Sequence, residues 1–469
     1  MNDSVSRRLV LTTTSISAFV TPFLSSAIAF AVPRIGVSFH LDFVQVALIP
    51  MVYLIPLASF MIFFGRISDD VGRVRIFRAG LIIFAVASIA ASFSSSYSFL
   101  IAMVFLAGLG SAVLSTNSTA IVSYVYSRGG RGFALGINAM SVYLGLTFAP
   151  FLGGILIEFT GWRSVFLFSG PVGLAALALS AVSMRNIEIR RRTTASGIMG
   201  PAFLAGAILS LTAYVALGDV TGFLRSAYIL PIAAVFLMLF IRYGTHGAGE
   251  AVPMEMLRGN RTFAASNLTA LLNYLSTFSI VFIFSICLQV ILHVSPFMSG
   301  ILILPEPVFM VALSPVAGRL SDRFESRSIA SLGMLIIGLS FLGLYFMHPL
   351  TRANILVLLG IIGIGFGLFS APNTNSVMGS VSRDNSGTAS GFLGTMRFTG
   401  QLFSIVLATV IISAYIPRPL TMGMFSGTVV AITPQYFNSF SEGFRTVMFI
   451  SAILSLVGAV TSLLKNRGQ

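Results

Sequence analysis

Long stretches without a formal charge constrain this chain more than any other feature. No charged residue occurs in Leu9 to Pro33, in Ala79 to Tyr126 or in Ser328 to Met347. About 20 apolar residues cross a bilayer as an α-helix, so the second stretch is long enough for two crossings. Backbone polar groups in lipid must find partners within their own segment, which favours helices. The sequence therefore predicts an all-α membrane protein.

Composition and charge exclude several other classes of protein. Only 9% of the 469 residues are charged, whereas soluble domains carry about 25%. The net charge of +14 could indicate nucleic-acid binding, but the basic residues lie in short loops between apolar stretches, as the positive-inside rule describes. Cys287 is the only cysteine, which excludes an intramolecular disulfide or a thiolate metal site. We expect no cofactor, no metal and no nucleic-acid partner.

Counting the apolar stretches predicts fourteen spans, of which the first, Leu9 to Pro33, is too long for a cleaved signal peptide. An even number of spans puts both termini on one side of the membrane. Loops and tails on that side contain 21 basic residues, and those on the other side contain 6. The positive-inside rule makes the first side cytoplasmic. The prediction is a multi-pass protein of the cytoplasmic membrane with both termini in the cytoplasm.

Internal repeats divide the chain into two halves. The segment 65–75 recurs at 318–327 with an offset of 253, and Gly108-Leu-Gly110 recurs as Gly363-Ile-Gly365 with an offset of 255. Such a pattern predicts two parallel six-helix repeats. We expect an N-terminal six-span bundle at 1–192, two inserted spans with a cytoplasmic linker at 193–262, and a C-terminal six-span bundle at 263–469.

The repeated loop carries a family signature. Segment 65–75 resembles G-x-L-a-D-r-x-G-r-[RK]-[RK], the signature of the major facilitator superfamily. That resemblance implies the major facilitator fold and a loop that latches the cytoplasmic side of the transporter; an ordinary solvated turn is the alternative. The residues expected to gate in this way are Gly65, Asp69, Gly72 and Arg73, with Gly318, Asp322 and Arg323 in the second copy.

Span 5 carries a second motif. Its small residues resemble the antiporter signature G-x8-G-x3-G-P-x2-G-G, with Ala149 in place of one glycine; the alternative is generic small-residue packing between helices. Stretches 161–173 and 295–305 also resemble those of the fourteen-span drug–proton antiporter family. The resemblance implies an exporter that exchanges its substrate for protons. The matching motif residues are Gly136, Gly145, Pro150, Gly153 and Gly154.

Two positions depart from that family. Leu24 stands where the family often has an Asp in span 1, and Val104 replaces an Arg in span 4. Both charged residues are associated with proton coupling in the family. Their absence leaves the coupling ion and its stoichiometry open, and an uncoupled transporter remains an alternative.

Glu306 is the single acidic residue that the sequence places deep in a span, between Pro305 and Pro307. A charge at membrane depth costs about 2.5–3.5 kcal/mol or more, so such a residue is a functional candidate. We expect Glu306 to bind a proton or a cation; sealing of backbone donors or a tie between helices is the alternative.

Arg397 is the only basic residue deep in a span, and Gln401 lies one turn further on the same face. Arg397 could pair with Glu306, line the cavity or form a purely structural salt bridge. Uncharged polar residues complete the predicted substrate cavity, although hydrogen bonding between helices would also account for each of them. The predicted cavity residues are Tyr53, Asn117, Thr269, Asn273, Thr277, Asn373, Asn375, Arg397 and Gln401.

These features predict a monomeric secondary transporter that exports amphipathic organic small molecules across the lipid bilayer. Proton antiport and alternating access are the expected mechanism. One alternative is an uncoupled or differently coupled carrier of a neutral metabolite or a lipid-like molecule. Another is a membrane receptor that does not transport. An enzyme is not expected, because the sequence has no His/Asp/Glu cluster for catalysis.

Overall fold

The computed structural model describes residues 3–126, 131–185, 187, 199–221, 223–245, 254–321, 323–347, 351–381, 386–416 and 434–465. These residues form helices and short connections, and no strand occurs among them. The prediction of an all-α membrane protein is confirmed. The first half contains α1 (Asp3–Phe39), α2 (Phe43–Val71), α3 (Arg73–Ser92), α4 (Tyr97–Val125), α5 (Arg131–Thr160) and α6 (Arg163–Ser183).

The inserted segment contains α7 (Met199–Thr221), α8 (Phe223–Ser226), α9 (Ile229–Thr245) and α10 (Met254–Gly259). In the second half, two of the six predicted spans are broken into shorter helices. One consists of α11 (Arg261–Thr277), α12 (Ser279–Ile286) and a π-helical turn at Cys287–Ile291, and the next of α13 (Pro296–Ile303) and α14 (Pro305–Ser321). The remaining helices are α15 (Ser326–Phe346), α16 (Arg352–Gly379), α17 (Ser386–Tyr415) and α18 (Pro434–Leu463).

Local sequence explains where several helices begin. Asp42 forms a reciprocal capping box with Gln45 at the start of α2, with N–O distances of 2.7 and 3.0 Å. Ser295 accepts a hydrogen bond from the Met298 amide at the start of α13. Such caps satisfy amides of the first turn that have no partner within the helix. The starts of α2 and α13 are therefore well defined.

The fourteen-span prediction is not supported. Among the described residues, twelve helices are long and apolar enough to cross a membrane. The inserted segment contributes two shorter apolar helices, Ala202–Tyr214 and Ile229–Tyr243, each of 10–17 residues. At 1.5 Å per residue α9 (Ile229–Thr245) rises about 26 Å, less than the ~30 Å hydrocarbon core. Adding or removing this pair leaves the predicted sidedness of the twelve long helices unchanged.

The two halves repeat the same close helix contacts. A Cβ atom at Gly108 would overlap the main-chain oxygen of Tyr53, and one at Gly363 would overlap that of Glu306. Gly145 lies in the same way against Phe19, as Gly400 does against Leu271. These pairs are separated by nearly the offset of the sequence repeat. The repeat is therefore one of packing as well as of sequence, while the domain bounds 1–192, 193–262 and 263–469 remain a prediction.

Each half is a bundle, and the bundles meet along three sets of helices. In the first half α1 packs on α5 and α6, and in the second α11 packs on α17 and α18. Between the halves α5 packs on α13 and α14, α2 on α17, and α1 on α12. The inserted hairpin α7–α9 lies mainly on the side of α2. The candidate functional site lies at the contact between α5, α11 and α14.

Candidate functional site

A small cavity lies between the two bundles, and both contribute to its wall. Its volume is about 50 Å³, which is room for a few water molecules and far below the 300–1,000 Å³ typical of a drug-sized ligand site. The cavity is therefore too small to admit a drug-sized substrate in this conformation. Its lining residues are Ser26, Leu146, Pro150, Tyr274, Thr277, Phe278, Val281, Glu306, Pro307, Met310 and Phe366.

Glu306 is the acidic residue of this cavity. It lies in the first turn of α14, directly after the interruption at Leu304 and Pro305. Its Oε2 atom is enclosed and has no hydrogen-bond partner among the described residues. A buried polar atom without a partner is costly, and a charged one more so. The position suits a carboxyl that gains and loses a proton or receives a cationic group.

Hydrogen bonds join the two halves beside Glu306. Thr147 of α5 donates to the main-chain oxygen of Pro307 at 3.2 Å. The Tyr143 and Ser370 hydroxyls, from α5 and α16, form a second hydrogen bond between the halves. Sequence reasoning missed Tyr143, Thr147 and Ser370. The only signal was that Tyr143 and Thr147 flank the motif glycine Gly145.

Arg397 lies near the Tyr274 ring but does not itself line the cavity. Its guanidinium carbon is 5.9 Å from the ring centroid, and its Nη2 donates to Thr374 Oγ1 at 2.8 Å. The buried Nε has no partner among the described residues. No ion pair forms between Glu306 and Arg397, both of which the structure describes. Tyr274 contacts both the arginine and the cavity and is the link between them.

The remaining polar residues of span 9 do not form one cavity wall. Thr277 lines the cavity, whereas Thr269 hydrogen-bonds Thr461 at 3.1 Å. Asn273 donates to Met334 Sδ at 3.2 Å. These two side chains therefore face neighbouring helices of their own bundle. One turn beyond Arg397, Gln401 is buried and its Oε1 has no partner in the described part of the chain.

Tyr53 and the three asparagines outside span 9 lie away from the Glu306 cavity. Tyr53 is fully buried, and its hydroxyl contacts the Thr21 main-chain oxygen at 2.8 Å and Ser111 Oγ at 2.6 Å. Asn117 donates to the Val113 main-chain oxygen, and its Oδ1 has no partner among the residues that the structure describes. Asn375 donates to Ser321 Oγ at 2.9 Å near the end of α16.

Asn373 belongs to a polar cluster that sequence reasoning missed. It donates to the Ser266 main-chain oxygen at 3.1 Å and accepts from Lys465 Nζ at 2.9 Å. Lys465, the only lysine in the sequence, lies just beyond α18 and is 3% exposed. Burial lowers the pKa of its ammonium group to about 7. Lys465 thus ties the end of α18 to α16, at the face where the basic loops are predicted to lie.

The motif residues of span 5 pack on both halves. Gly145 lies against the Phe19 backbone of α1, and Gly154 lies against the Pro296 backbone of α13. Gly300 of α13 in turn contacts the main-chain oxygen of Pro150. Gly153 makes ordinary contacts with Phe30, and Gly136 has no neighbour within 4 Å of an added Cβ. The motif therefore brings α5 close to the second bundle.

The repeated loop is described in part. Gly72 joins α2 to α3 with a φ of 116°, a conformation that favours glycine. Gly65 and Gly318 lie at equivalent places in the two halves. A Cβ added at Gly65 would lie 3.2 Å from Thr116, and one added at Gly318 would lie 3.8 Å from Ala371. Arg323 is exposed, and Arg73 lies in the first turn of α3. Asp322 and the side chain of Asp69 lie outside the described residues.

The two departures from the drug-antiporter pattern are buried apolar residues. Leu24 and Val104 are both fully enclosed in the core of the first bundle. No group of three or more His, Cys, Asp or Glu residues capable of holding a metal occurs in the part of the chain that the structure describes.

Comparison with known proteins decides the family. The profile of the Major Facilitator Superfamily matches residues 14–405 and, in a second match, residues 266–468. The chain belongs to the major facilitator superfamily. The resemblance inferred from the repeated loop is confirmed, and this superfamily consists of transporters rather than enzymes. The second match lies within the C-terminal half, in accord with the internal repeat.

Several transporters of this superfamily are similar over most of their length. The riboflavin transporter RibZ of Clostridioides difficile is 26% identical over 96% of each chain. The multidrug resistance protein Stp of Mycobacterium tuberculosis is 25% identical, covering 88% of this chain and 77% of its own. The tetracenomycin C resistance and export protein of Streptomyces glaucescens is 26% identical, covering 83% and 73%.

Solved structures show the same fold. A bacterial homologue of the human lysosomal transporter Spinster, in an inward-facing and occupied conformation, aligns with a TM-score of 0.67 at 16% identity over 98% of this chain and 96% of its own. A peptide transporter of the POT type aligns with a TM-score of 0.66 at 16% identity, covering 97% and 95%. Its family and its full-length relatives make this major facilitator protein a multi-pass membrane transporter of small molecules.

Proposed function

We propose that this major facilitator protein exports amphipathic organic compounds from the cytoplasm in exchange for protons. The observation that carries the proposal is the Glu306 carboxyl, which lies between the two bundles with Oε2 enclosed and without a hydrogen-bond partner in the described part of the chain. An acid at the contact of two moving halves can exchange its proton with one side and then with the other. Relatives named for multidrug resistance and for tetracenomycin C export support an export direction.

Alternating access would require the contacts around the site to open in turn. On the side predicted to be extracellular, Ser285 donates to the Ala29 main-chain oxygen at 3.1 Å and Gln289 to that of Phe30 at 3.2 Å. These two hydrogen bonds, together with the contact between Gly300 and Pro150, hold the two halves together on that side. These neutral contacts can be exchanged for water at modest cost, so they suit an interface that opens repeatedly.

Arg397 and Tyr274 would recognise the substrate once the cavity opens. The Arg397 Nε and the Gln401 Oε1, neither of which has a partner among the described residues, offer a donor and an acceptor. Tyr274, Phe278 and Phe366 offer aromatic surface. Competition between substrate and proton for Glu306 would couple the two fluxes. The repeated loop at Gly72 and Arg323 would act as the cytoplasmic latch, in a monomer of the cytoplasmic membrane.

Proteoliposomes test the proposal. Purified protein is reconstituted, and a panel of fluorescent amphipathic compounds is followed with and without an imposed pH gradient. We expect uphill movement of at least one compound only when the gradient is present, with proton counterflow that depends on the compound. Compound-driven flux without proton movement would reject antiport, and binding without any flux would reject transport.

A neutral metabolite is the second candidate substrate. The riboflavin transporter matches over nearly the full length of both chains, and an aromatic cavity edge suits a flat ring system. Riboflavin therefore belongs in the panel. Its transport in the absence of a pH gradient, with no proton flux, would favour this candidate over antiport.

A further inference from the structure

A second and larger cavity lies within the first bundle. It is a crevice of about 960 Å³ bounded by α1, α5 and α6, with Tyr126 at the end of α4. It shares no lining residue with the Glu306 cavity. Its size is at the upper end of the range for ligand sites, about 300–1,000 Å³. The crevice is therefore a separate place where a molecule could bind.

One face of α1 forms the floor of the crevice. Arg8, Leu11, Thr12, Ser15, Ile16 and Phe19 line it, at the spacing of one helical stripe. Arg8 and Thr12 are exposed and Leu11 is buried, so the crevice opens at the Arg8 end. From Arg8 to Phe19 the helix rises about 16 Å, close to half of the ~30 Å hydrocarbon core. The crevice thus spans roughly one leaflet.

The chemistry of the crevice changes with depth. Ile137, Val172 and Ala175 form apolar walls opposite α1. The Thr12 and Ser141 hydroxyls donate to main-chain oxygens of their own helices, at 3.0 and 2.9 Å. By contrast, the Ser15 Oγ is buried without a partner among the described residues. It lies about 10 Å along the helix from Arg8 and can donate to a ligand oxygen at that depth.

We propose that this crevice binds an anionic phospholipid from the leaflet on the Arg8 side. The phosphate would lie at the Arg8 guanidinium at the mouth, where opposite charges attract, and an ester oxygen would accept from Ser15. One acyl chain would follow α1 along Ile16 to Phe19, between the apolar walls. Basic pockets between transmembrane helices bind anionic headgroups by the same principle. The site is independent of the proposed export activity and needs neither Glu306 nor a pH gradient.

Photo-crosslinking tests the position of the lipid. Purified protein is incubated with phosphatidylglycerol that carries a diazirine on one acyl chain, is irradiated and is digested for mass spectrometry. Crosslinks are expected on the peptides that contain Phe19 and Val172. Crosslinks distributed evenly over the lipid-facing helices would overturn the proposal, because they would indicate annular lipid only.

Native mass spectrometry tests the affinity, with dioleoylphosphatidylglycerol as the probe and dioleoylphosphatidylcholine as the zwitterionic reference. Arg8→Gln should weaken phosphatidylglycerol binding about fivefold, the value of one basic residue near an anionic surface, and should leave phosphatidylcholine binding unchanged. Arg185→Gln, which removes the same charge from the exposed end of α6 outside the crevice, is the matched control. Equal loss in the two variants would contradict a specific site.

A filling variant gives an independent test. Ala175→Phe places a ring in the crevice and should remove the first bound phosphatidylglycerol and the crosslinks. Ala178→Phe places the same ring on α6 outside the crevice and should retain them, since both alanines are exposed. Retention of binding and of crosslinks in Ala175→Phe, with thermal stability equal to that of Ala178→Phe, would overturn the proposal.

Discussion

Gly363 of α16 lies so close to the backbone of Glu306 that an added Cβ would overlap its main-chain oxygen. This contact sets the position of the Glu306 backbone relative to α16, and therefore where its carboxyl lies in the cavity between the halves. Gly108 holds Tyr53 in the same manner in the first half. There the side chain is a tyrosine with both hydrogen-bond partners inside its own bundle. The two halves thus share this helix contact, but only the second half has an acidic residue at it.

The first prediction concerns that contact. Gly363→Ala should destabilise the protein by about 1–3 kcal/mol, because an added methyl in a close-packed contact forces the helices apart. Gly379→Ala in the same helix is the control, since an added Cβ at exposed Gly379 meets no atom within 4 Å. Thermal unfolding in detergent should show a lower midpoint for the first variant only; equal midpoints would mean that α14 and α16 adjust freely.

The second prediction concerns the latch. Gly72→Ala strains a backbone with a φ of 116°, at a cost of about 1–3 kcal/mol. Gly161→Ala, at a φ of 82° between α5 and α6, carries a similar strain outside the repeated loop. Both variants should lose stability, but only Gly72→Ala should also lose transport per folded molecule. A similar loss of transport in both would reduce the loop to an ordinary turn.

The third prediction concerns sidedness. Single cysteines at Ser95, between α3 and α4, and at Arg185, at the end of α6, are introduced in a Cys287→Ser background. Both positions are exposed. An impermeant thiol reagent applied to intact cells should label position 95 and not position 185, because the basic loops are expected to face the cytoplasm. The reverse pattern would mean that the true topology is inverted. The test does not depend on whether the inserted hairpin spans the membrane, because both positions precede it in the chain.

The fourth prediction concerns pH and Lys465. Its pKa is about 7 in the folded protein and about 10.4 when unfolded. Between these values the unfolded chain binds more protons, so the free energy of unfolding should rise from pH 7 to pH 10. The contribution is at most roughly 4 kcal/mol over three pH units. Thermal unfolding of wild type and of Lys465→Met, measured from pH 7 to pH 10, isolates the contribution of Lys465. If stability changes with pH in the same way in both proteins, the amine is not buried with a lowered pKa.

Much of the fold follows from the sequence. The uncharged stretches predict the long helices. The two motif copies at one offset predict the pseudo-symmetry, which the matching helix contacts of Gly108 and Gly363 show in the structure. The inserted pair was overcounted because hydropathy alone does not separate a span from a shorter apolar helix such as Ile229–Tyr243. The break between α13 and α14 could be expected at Pro305, which cannot donate to the preceding turn.

The site was harder to predict than the fold. Thr269, Asn273 and Thr277 share one stripe, but the sequence does not show that the first two meet Thr461 and Met334 rather than the cavity. The contact between Tyr143 and Ser370 joins the two halves, and no local pattern encodes a contact that depends on how the halves close. Glu306 could be singled out from the sequence as a candidate because a carboxyl at membrane depth is costly wherever it lies.

The fifth prediction tests the central claim, that Glu306 carries the proton. Glu306→Gln keeps the shape of the side chain and its capacity for hydrogen bonding but cannot exchange a proton. In proteoliposomes this variant should fail to move substrate uphill under a pH gradient while still exchanging labelled for unlabelled substrate at equal pH. Proton-driven uphill transport by Glu306→Gln at the wild-type rate would contradict the account and remove Glu306 from the coupling mechanism.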